Sequence, residues 1–200
     1  IGEAVLIELL QCFQQRFPKQ QILSEIHNTE ELEKMLLKDR LDIALVEGRI
    51  RSEYLIEEPF MEDELIFVAA AGAGIPAQVN AAEAGKLAFY LREEGSGTRN
   101  LFEYEMHLKN IPVRIAGVYN NAASIKKAVR AGLGVTAISR RIVKEELAAG
   151  ALVPFTVPGV SFRRNFRLVY HRNKYLTEAL RQLMTSCLQL DEISADADRP

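Results

Sequence analysis

The stretch Leu91-Arg92-Glu93-Glu94-Gly95-Ser96-Gly97-Thr98-Arg99 decides how this chain is read. It follows an apolar run, Leu87-Ala88-Phe89-Tyr90-Leu91, and precedes a charged, helix-forming segment from Thr98 to Lys109. That order predicts a strand, a tight Gly-Ser-Gly loop and a helix N-terminus. Such a turn presents backbone N–H groups, the hydroxyls of Ser96 and Thr98 and the guanidinium of Arg99 to one region. A helix start carries partial positive charge and free donors, so it suits a small anion. The spacing is neither the phosphate loop G-x-x-x-x-G-K-[ST] nor the dinucleotide fingerprint. A plainer reading stays open, in which Ser96 caps a helix and the glycines turn the chain. Arg99 has two candidate roles: a bidentate clamp on a ligand, or an ion pair with Glu103 one turn on. The ion pair is favoured, because first-turn side chains often point away from a ligand beneath them.

Outward from this stretch the chain reads as two α/β series. Ile1 to Phe17 has apolar residues at helical spacing and stops at Pro18. Val5, Leu9 and Cys12 form one stripe, and Leu6, Leu10 and Phe13 a second. Gln21 to Ile26 is predicted as a short strand. Asn28 caps a second helix, with Glu31 as its capping-box partner. Leu41 to Val46, Tyr54 to Pro59 and Asp63 to Ala70 are predicted to be extended. After the small-residue run Ala71-Gly72-Ala73-Gly74 a second series begins. Its elements are strand 87–91, helix 98–109, strand 113–119, helix 122–131, strand 134–138 and helix 140–148. Val153–Val157 and Phe166–Tyr170 are extended, and a closing helix covers 176–190. Asp191 to Pro200 reads as a frayed polar tail.

Helix starts that follow strands are common ligand positions in α/β proteins. Three are visible: Asn28-Thr29, Ser96-Gly97-Thr98 and Asn120-Asn121-Ala122-Ala123-Ser124. Each is also explained by a simple N-cap; their joint occurrence favours a shared site in a cleft between lobes.

Composition narrows the function. With 200 residues and 48% apolar content, the chain can bury one large core or two small ones. Lys and Arg number 25 against 27 Asp and Glu, a net charge of −2. That balance argues against nucleic-acid binding through this segment. The basic knot Arg163-Arg164-Asn165-Phe166-Arg167 is read as solvated edge charge. Cys12 and Cys187 are expected to be reduced, partly buried thiols. His27, His107 and His171 are scattered, so no metal site is indicated, and no cofactor. No run approaches the roughly 18 apolar residues of a membrane span. No leader is visible, and a cytoplasmic location is expected. An enzyme is not indicated, since no Ser-His-Asp or Cys-His set is recognisable. Glu93 and Glu94 are strand-end neighbours facing opposite ways, not an acid/base pair.

Several phrases together resemble the effector-binding domain of LysR-type transcriptional regulators. They are FQQRFPKQQI (13–22), NTEELEKMLLKDRLDIALVEG (28–48), EEPFMEDELIFVAA (57–70), REEGSGTR (92–99), NNAASIKKAVRAGLGVTAISR (120–140) and ELAAGALVPF (146–155). The likeness runs from Ile1 to about Leu190. It is strongest to the subgroup regulating carbon fixation and sulfur assimilation. The resemblance implies an α/β, type 2 periplasmic-binding-protein fold with two Rossmann-like lobes and a central cleft. Lobe I would be residues 1–70 and 161–200, and lobe II residues 71–160. A winged helix-turn-helix domain would precede this segment, and only that domain would touch DNA. The effector site would comprise Asn28 and Thr29 from lobe I and Ser96, Gly97, Thr98, Arg99, Asn121 and Ser124 from lobe II. Val46 and Glu47 would end a strand near the crossings. The effector would be a small anion, and the domain would form a homodimer or tetramer, with the first helix packed on the partner's 122–131 helix. Family domains also carry a strand and a Ser/Thr turn before Ile-Gly, which do not appear in this sequence. A free-standing solute-binding protein for a small anion is the alternative with the same fold.

Overall fold

A computed structural model describes residues 1–197 of the chain, with side chains for residues 1, 2 and 5–189. A π-helical turn, Gly2–Leu6, leads into α1 (Ile7–Arg16). Then come α2 (Thr29–Leu37), β1 (Ala44–Val46), β2 (Leu55–Ala70), α3 (Ala81–Ala84) and β3 (Ala88–Arg92). They are followed by α4 (Gly97–Leu108), β4 (Arg114–Tyr119), α5 (Ala122–Arg130) and β5 (Thr136–Ser139). A 3-10 turn, Arg140–Val143, precedes α6 (Lys144–Ala148), β6 (Leu152–Phe155), β7 (Phe162–His171) and α7 (Glu178–Ala197). Two compact units result: unit 1 is Ile1–Glu62 with Arg164–Pro200, and unit 2 is Asp63–Arg163.

Unit 1 is organised by alternation along β7. Phe166, Leu168 and Tyr170 join Val5, Leu9 and Phe13 of the first helix and Leu183, Met184 and Cys187 of α7. Val169 points the other way, into Leu32 and Leu36 of α2 and Val46 of β1. This is the period-two signature of a strand with helices on both faces. β1 pairs with β7 antiparallel, Leu45 opposite Leu168. The buried stripe of the first helix is Val5, Leu9 and Phe13; Leu6 and Leu10 are half-buried and Cys12 is exposed. That corrects the expected grouping and the expected partial burial of Cys12. Phe17 takes φ −132°, ψ 66°, since the residue before proline is forced out of the helical region.

The predicted strand Gln21–Ile26 does not form. All six residues are exposed, Leu23 at 87%, and no strand among the described residues lies beside them. A strand's backbone donors and acceptors need a neighbouring strand, and none among the described residues supplies one here. α7 also differs: the expected tail is helical as far as Ala197, and residues 198–200 lie outside the described residues.

Unit 2 repeats the two-sided logic. Along β2, Leu65, Phe67 and Ala69 face one core while Val68 faces the other. β3 does the same, with Phe89 and Leu91 on the α4 side and Tyr90 on the α5 side. Phe67 sits among Phe89, Phe102, Phe155 and Phe162, with ring centroids 5.1–6.3 Å away. β2 is antiparallel to β5 (Phe67 opposite Ala137) and to β6 (Phe67 opposite Phe155). β3 pairs with β4 in parallel. On its other side, Tyr90 N–H donates to the Val135 carbonyl (2.9 Å) and Val135 N–H to the Ala88 carbonyl (2.8 Å). Ala71–Gly74 is a turn within unit 2, where Ala73 N–H donates to the Ala70 carbonyl at 3.0 Å.

Gly134 permits this close approach. A Cβ there would lie 2.2 Å from the Ala88 carbonyl oxygen, whereas one at Gly72 would meet nothing within 4 Å. Gly134→Ala should therefore lower stability by about 1–3 kcal/mol. Gly72→Ala should stay within about 0.5 kcal/mol of the parent. Urea denaturation of the two variants side by side checks the contrast.

Candidate functional site

The parallel ladder runs Ala88 opposite Arg114 to Arg92 opposite Tyr119. Both strands therefore end at one edge of the sheet. The chain leaving β3 enters α4 at Gly97, and the chain leaving β4 enters α5 at Ala122. Two helix N-termini thus start from the carboxyl ends of adjacent parallel strands, the usual ligand-binding edge of an open α/β sheet. The two connections are tied together, since Glu93 N–H donates to the Tyr119 carbonyl at 3.1 Å.

The first loop turns at Gly95, whose φ of +81° lies in the left-handed region that suits glycine. Gly95, Ser96 and Gly97 are buried, and Thr98 and Arg99 are half-buried. Ser96 occupies the cap position of α4, but its side chain makes no cap hydrogen bond. Arg99 takes the structural role expected from its spacing: Nε donates to Glu103 Oε1 at 2.8 Å. Its Nη1 reaches back to the Arg92 carbonyl at 3.5 Å. In the second loop Asn121 is a working cap. Its Oδ1 accepts from Ser124 N–H at 2.8 Å, and its Nδ2 donates to Asn120 Oδ1 at 3.0 Å. Ser96, Gly97, Thr98 and Arg99 thus share one strand edge with Asn121 and Ser124.

Asn28 and Thr29 belong to unit 1, at the first turn of α2. Asn28 Oδ1 accepts from Glu31 N–H at 3.0 Å. Beside it, His27 presents Nε2 to Glu25 (3.0 Å) and Nδ1 to Glu31 (3.1 Å). The Glu25 hydrogen bond, helped by Glu31, raises the His27 pKa from its usual value. Thr29 is buried, and its hydroxyl accepts from Gly48 N–H at 3.3 Å, fastening α2 to the end of β1. Next to Gly48, Glu47 Oε2 pairs with Arg164 Nη1 at 3.1 Å.

Two charged groups escaped sequence reading. The Arg164 side chain is only 5% exposed, paired with Glu47 and set over the Phe166 ring at 5.3 Å, not solvated as the basic knot suggested. Arg92 forms a two-pronged pair with its neighbour: Nε to Glu93 Oε2 at 2.8 Å and Nη2 to Oε1 at 3.0 Å. The signal was present in Arg92-Glu93, but strict strand alternation would have pointed them apart. Among the described residues no group of three or more His, Cys, Asp or Glu could hold a metal. Burial pushes the Cys187 thiol up to about 12, so it is no nucleophile near neutral pH.

These cap assignments are measurable. Asn121→Ala should cost about 1 kcal/mol, the usual loss for a capping side chain. Ser96→Ala, which removes no cap bond, should cost less. Chemical denaturation of both variants distinguishes them.

The description "LysR substrate binding domain" matches residues 1–191. Among curated relatives, the HTH-type transcriptional regulator YeiE of Escherichia coli K12, itself named as uncharacterized, is 33% identical over 189 residues. That match covers 94% of this chain and 64% of the relative. The RuBisCO operon transcriptional regulator of Allochromatium vinosum is 31% identical, over 86% of this chain and 57% of that protein. The chain therefore spans less than two thirds of these relatives' length. The Synechocystis PCC6803 CcmR regulatory domain, solved in complex with 2-PG, superposes with a TM-score of 0.85 at 20% identity. It is covered to 91%, and 94% of this chain is matched. The effector-binding domain of QuiR in complex with shikimate gives 0.78 at 17% identity, with the same coverage, 94% and 91%. These likenesses establish the α/β, periplasmic-binding-protein-like fold of LysR regulatory domains. Matched over nearly its whole length, the chain belongs to the LysR substrate-binding domain family.

Proposed function

We propose that the chain is the effector-sensing and dimerising part of a LysR-type bacterial transcription regulator that acts in the cytoplasm. Its effector is a small anion held at the first turns of α4 and α5, with Ser96, Gly97, Thr98, Arg99, Asn121 and Ser124 around it. Asn28 and Thr29 contribute from unit 1. DNA is contacted through a separate winged helix-turn-helix domain. The observation that carries the reading is the pair of helix N-termini at one edge of the parallel β3–β4 ladder. Aligned peptide dipoles at the two helix starts favour negative charge there. Two regulatory domains sharing the fold were solved with small molecules, 2-PG and shikimate, which supports a small-molecule effector here. Among the described residues no helix is long and apolar enough to cross a membrane.

A thermal-shift screen of small carboxylates, sulfur oxyanions and phosphorylated metabolites tests this directly. An effector at 100 times its Kd adds about 2.7 kcal/mol to stability. Thr98→Ala should then cost about 1.5–3 kcal/mol of binding to a charged ligand, a ten- to hundredfold loss by titration calorimetry. Unchanged affinity would move the ligand elsewhere.

Self-association would use exposed apolar side chains on β4 and on the first helix, with β4 in place of the 122–131 helix, whose Ile125, Ala128 and Val129 are buried within unit 2. In unit 2, β4 pairs only with β3 among the described strands, and Ile115 (44%) and Val118 (47%) stay exposed. In unit 1, Ile7 is 56% exposed on α1. A two-fold dimer that sets one surface on the other forms two identical contacts. Leu9 belongs to the core, so Ile7→Glu and Val118→Glu are the suitable variants. Sedimentation at micromolar concentration should give a dimer for the parent and a folded monomer for either variant. A monomeric parent removes this assembly.

A further inference from the structure

Arg92 and Glu93 are adjacent in sequence, yet their side chains meet as a fork on a fork. Neighbouring residues of a strand point to opposite faces, so this pairing requires that the strand has ended. It has: β3 stops at Arg92, and Glu93, whose N–H makes the last rung to the Tyr119 carbonyl, opens the turn closed by Ser96 N–H on the Glu93 carbonyl. The guanidinium presents two parallel donors to two carboxylate oxygens, the arrangement by which arginine recognises free carboxylate or phosphate groups.

The position is as informative as the geometry. Alternation along β3 sends Phe89 and Leu91 into the α4-side core and Tyr90 into the α5-side core. Arg92 shares the parity of Tyr90, so it lies on the α5 side at the carboxyl edge of the strand. Its register partner Tyr119 precedes the α5 cap Asn121 by two residues. Its carbonyl is held by Arg99, whose own Nε is bonded to Glu103 of the same helix. The two arginines of the loop are thus held differently. Arg99 is paired within a helix, one turn apart, and braces the loop. Arg92 takes its carboxylate from irregular chain.

The pair is also exchangeable. Both side chains keep about a quarter of their surface in water, 21% for Arg92 and 24% for Glu93. Partly hydrated ion pairs of this kind add little to stability. Replacing one carboxylate by another anionic group leaves the guanidinium as well satisfied as before.

We propose that Arg92 is an anion receptor and that Glu93 is its internal occupant, a carboxylate that sits on the fork until the effector's anionic group displaces it. This rests on the anion reading given under Proposed function, and it names the residue that recognises the charge and the one that competes for it. Glu93 then sets the affinity threshold of the sensor. Weak or singly bonding anions do not displace it, whereas a ligand offering two oxygens to the fork and others to the α4 N–H groups does.

The test is a pair of substitutions with opposite signs. Inorganic phosphate is titrated at constant ionic strength into the full 200-residue chain while the Arg92 Nε–H and the Gly97 and Thr98 amide signals are followed by NMR. In the parent all three should shift together. Glu93→Gln removes the competing charge and should tighten phosphate about fivefold, the ratio equivalent to the upper end of a partly exposed pair. Arg92→Lys keeps the charge but loses the fork, and should weaken phosphate about tenfold or more. Circular dichroism and urea midpoints confirm that both variants fold. If both substitutions weaken phosphate, or if the amides respond while Arg92 does not, the pair is only a loop brace and this inference falls while the anion site stands. If phosphate moves none of the three signals, the anion reading itself falls and takes this inference with it.

Discussion

The parallel pairing of β3 with β4 is the constraint on which the rest of unit 2 depends. β3 needs a glycine on each side, Gly117 in β4 and Gly134 before the Val135 segment. A Cβ at Gly117 would stand 2.6 Å from the Tyr90 ring, and one at Gly134 only 2.2 Å from the Ala88 carbonyl. With both positions bare, Tyr90 lies across β3's neighbours and stacks near Tyr119, ring centroids 5.8 Å apart. Thr136 Oγ1 donates to the Tyr90 carbonyl at 2.7 Å, adding to the two backbone bonds from Val135. β3 is thereby fixed on both sides. The register that follows, Arg92 opposite Tyr119, brings two helix starts to one edge. A slip of one residue would reverse every side chain of β3 between the two cores. It would also carry the Ser96 loop away from Asn121.

The electrostatics of that edge come from peptide dipoles more than from side-chain charge. The cations around it are already paired: Arg99 with Glu103, Arg92 with Glu93, Lys126 with Glu146 at 2.9 Å. This agrees with a chain whose net charge is only −2. A site built from neutral donors and compensated arginines selects by geometry. At the anion site proposed above, long-range attraction would be weak and recognition would rest on the match of a ligand's oxygens to several fixed N–H directions.

Much of this was legible because it is local. A strand, a Gly-Ser-Gly turn and a helix start occupy consecutive residues, and Asn28 and Asn121 cap their helices as their sequence positions indicate. What failed depended on distant partners or on broken periodicity. Gln21–Ile26 has strand composition but no strand beside it among the described residues. β2 was read as two segments, Tyr54 to Pro59 and Asp63 to Ala70, yet one strand runs from Leu55 through Pro59 to Ala70. α3 is four residues long, too short to show a period, although its capping box Asn80–Glu83 was there to be read. Arg164 looked solvated because its partner Glu47 is more than a hundred residues away. The site residues proposed from sequence lie at helix starts in both units, so sequence named the elements. The charge pairing of Arg92 with Glu93 departs from ideal strand alternation and so leaves no trace in the pattern of the sequence.

The way β3 is anchored also says how an effector could act. β4, β3, the Val135 segment, β5 and β2 are joined rung by rung, and β2 pairs with β5 from Leu65 to Val68. At the foot of that last ladder Ser139 donates to Asp63 at 2.6 Å, both buried, where unit 2 begins. Packed cores and hydrogen-bonded ladders resist continuous deformation, so a ligand at the proposed site would engage these joined strands together. The chain itself leaves unit 2 at two places, Glu62–Asp63 in β2 and Arg163–Arg164 in β7. Neither is a flexible linker; each lies within a strand. Beside the second crossing, the Arg164 side chain, only 5% exposed, is bonded to Glu47, which is next to the Gly48–Thr29 contact at the α2 start. An effector can shift the domain between arrangements only to the extent that it binds one of them better. Within unit 1, Arg164, Glu47, Gly48 and Thr29 form a continuous series of contacts that starts beside the second crossing.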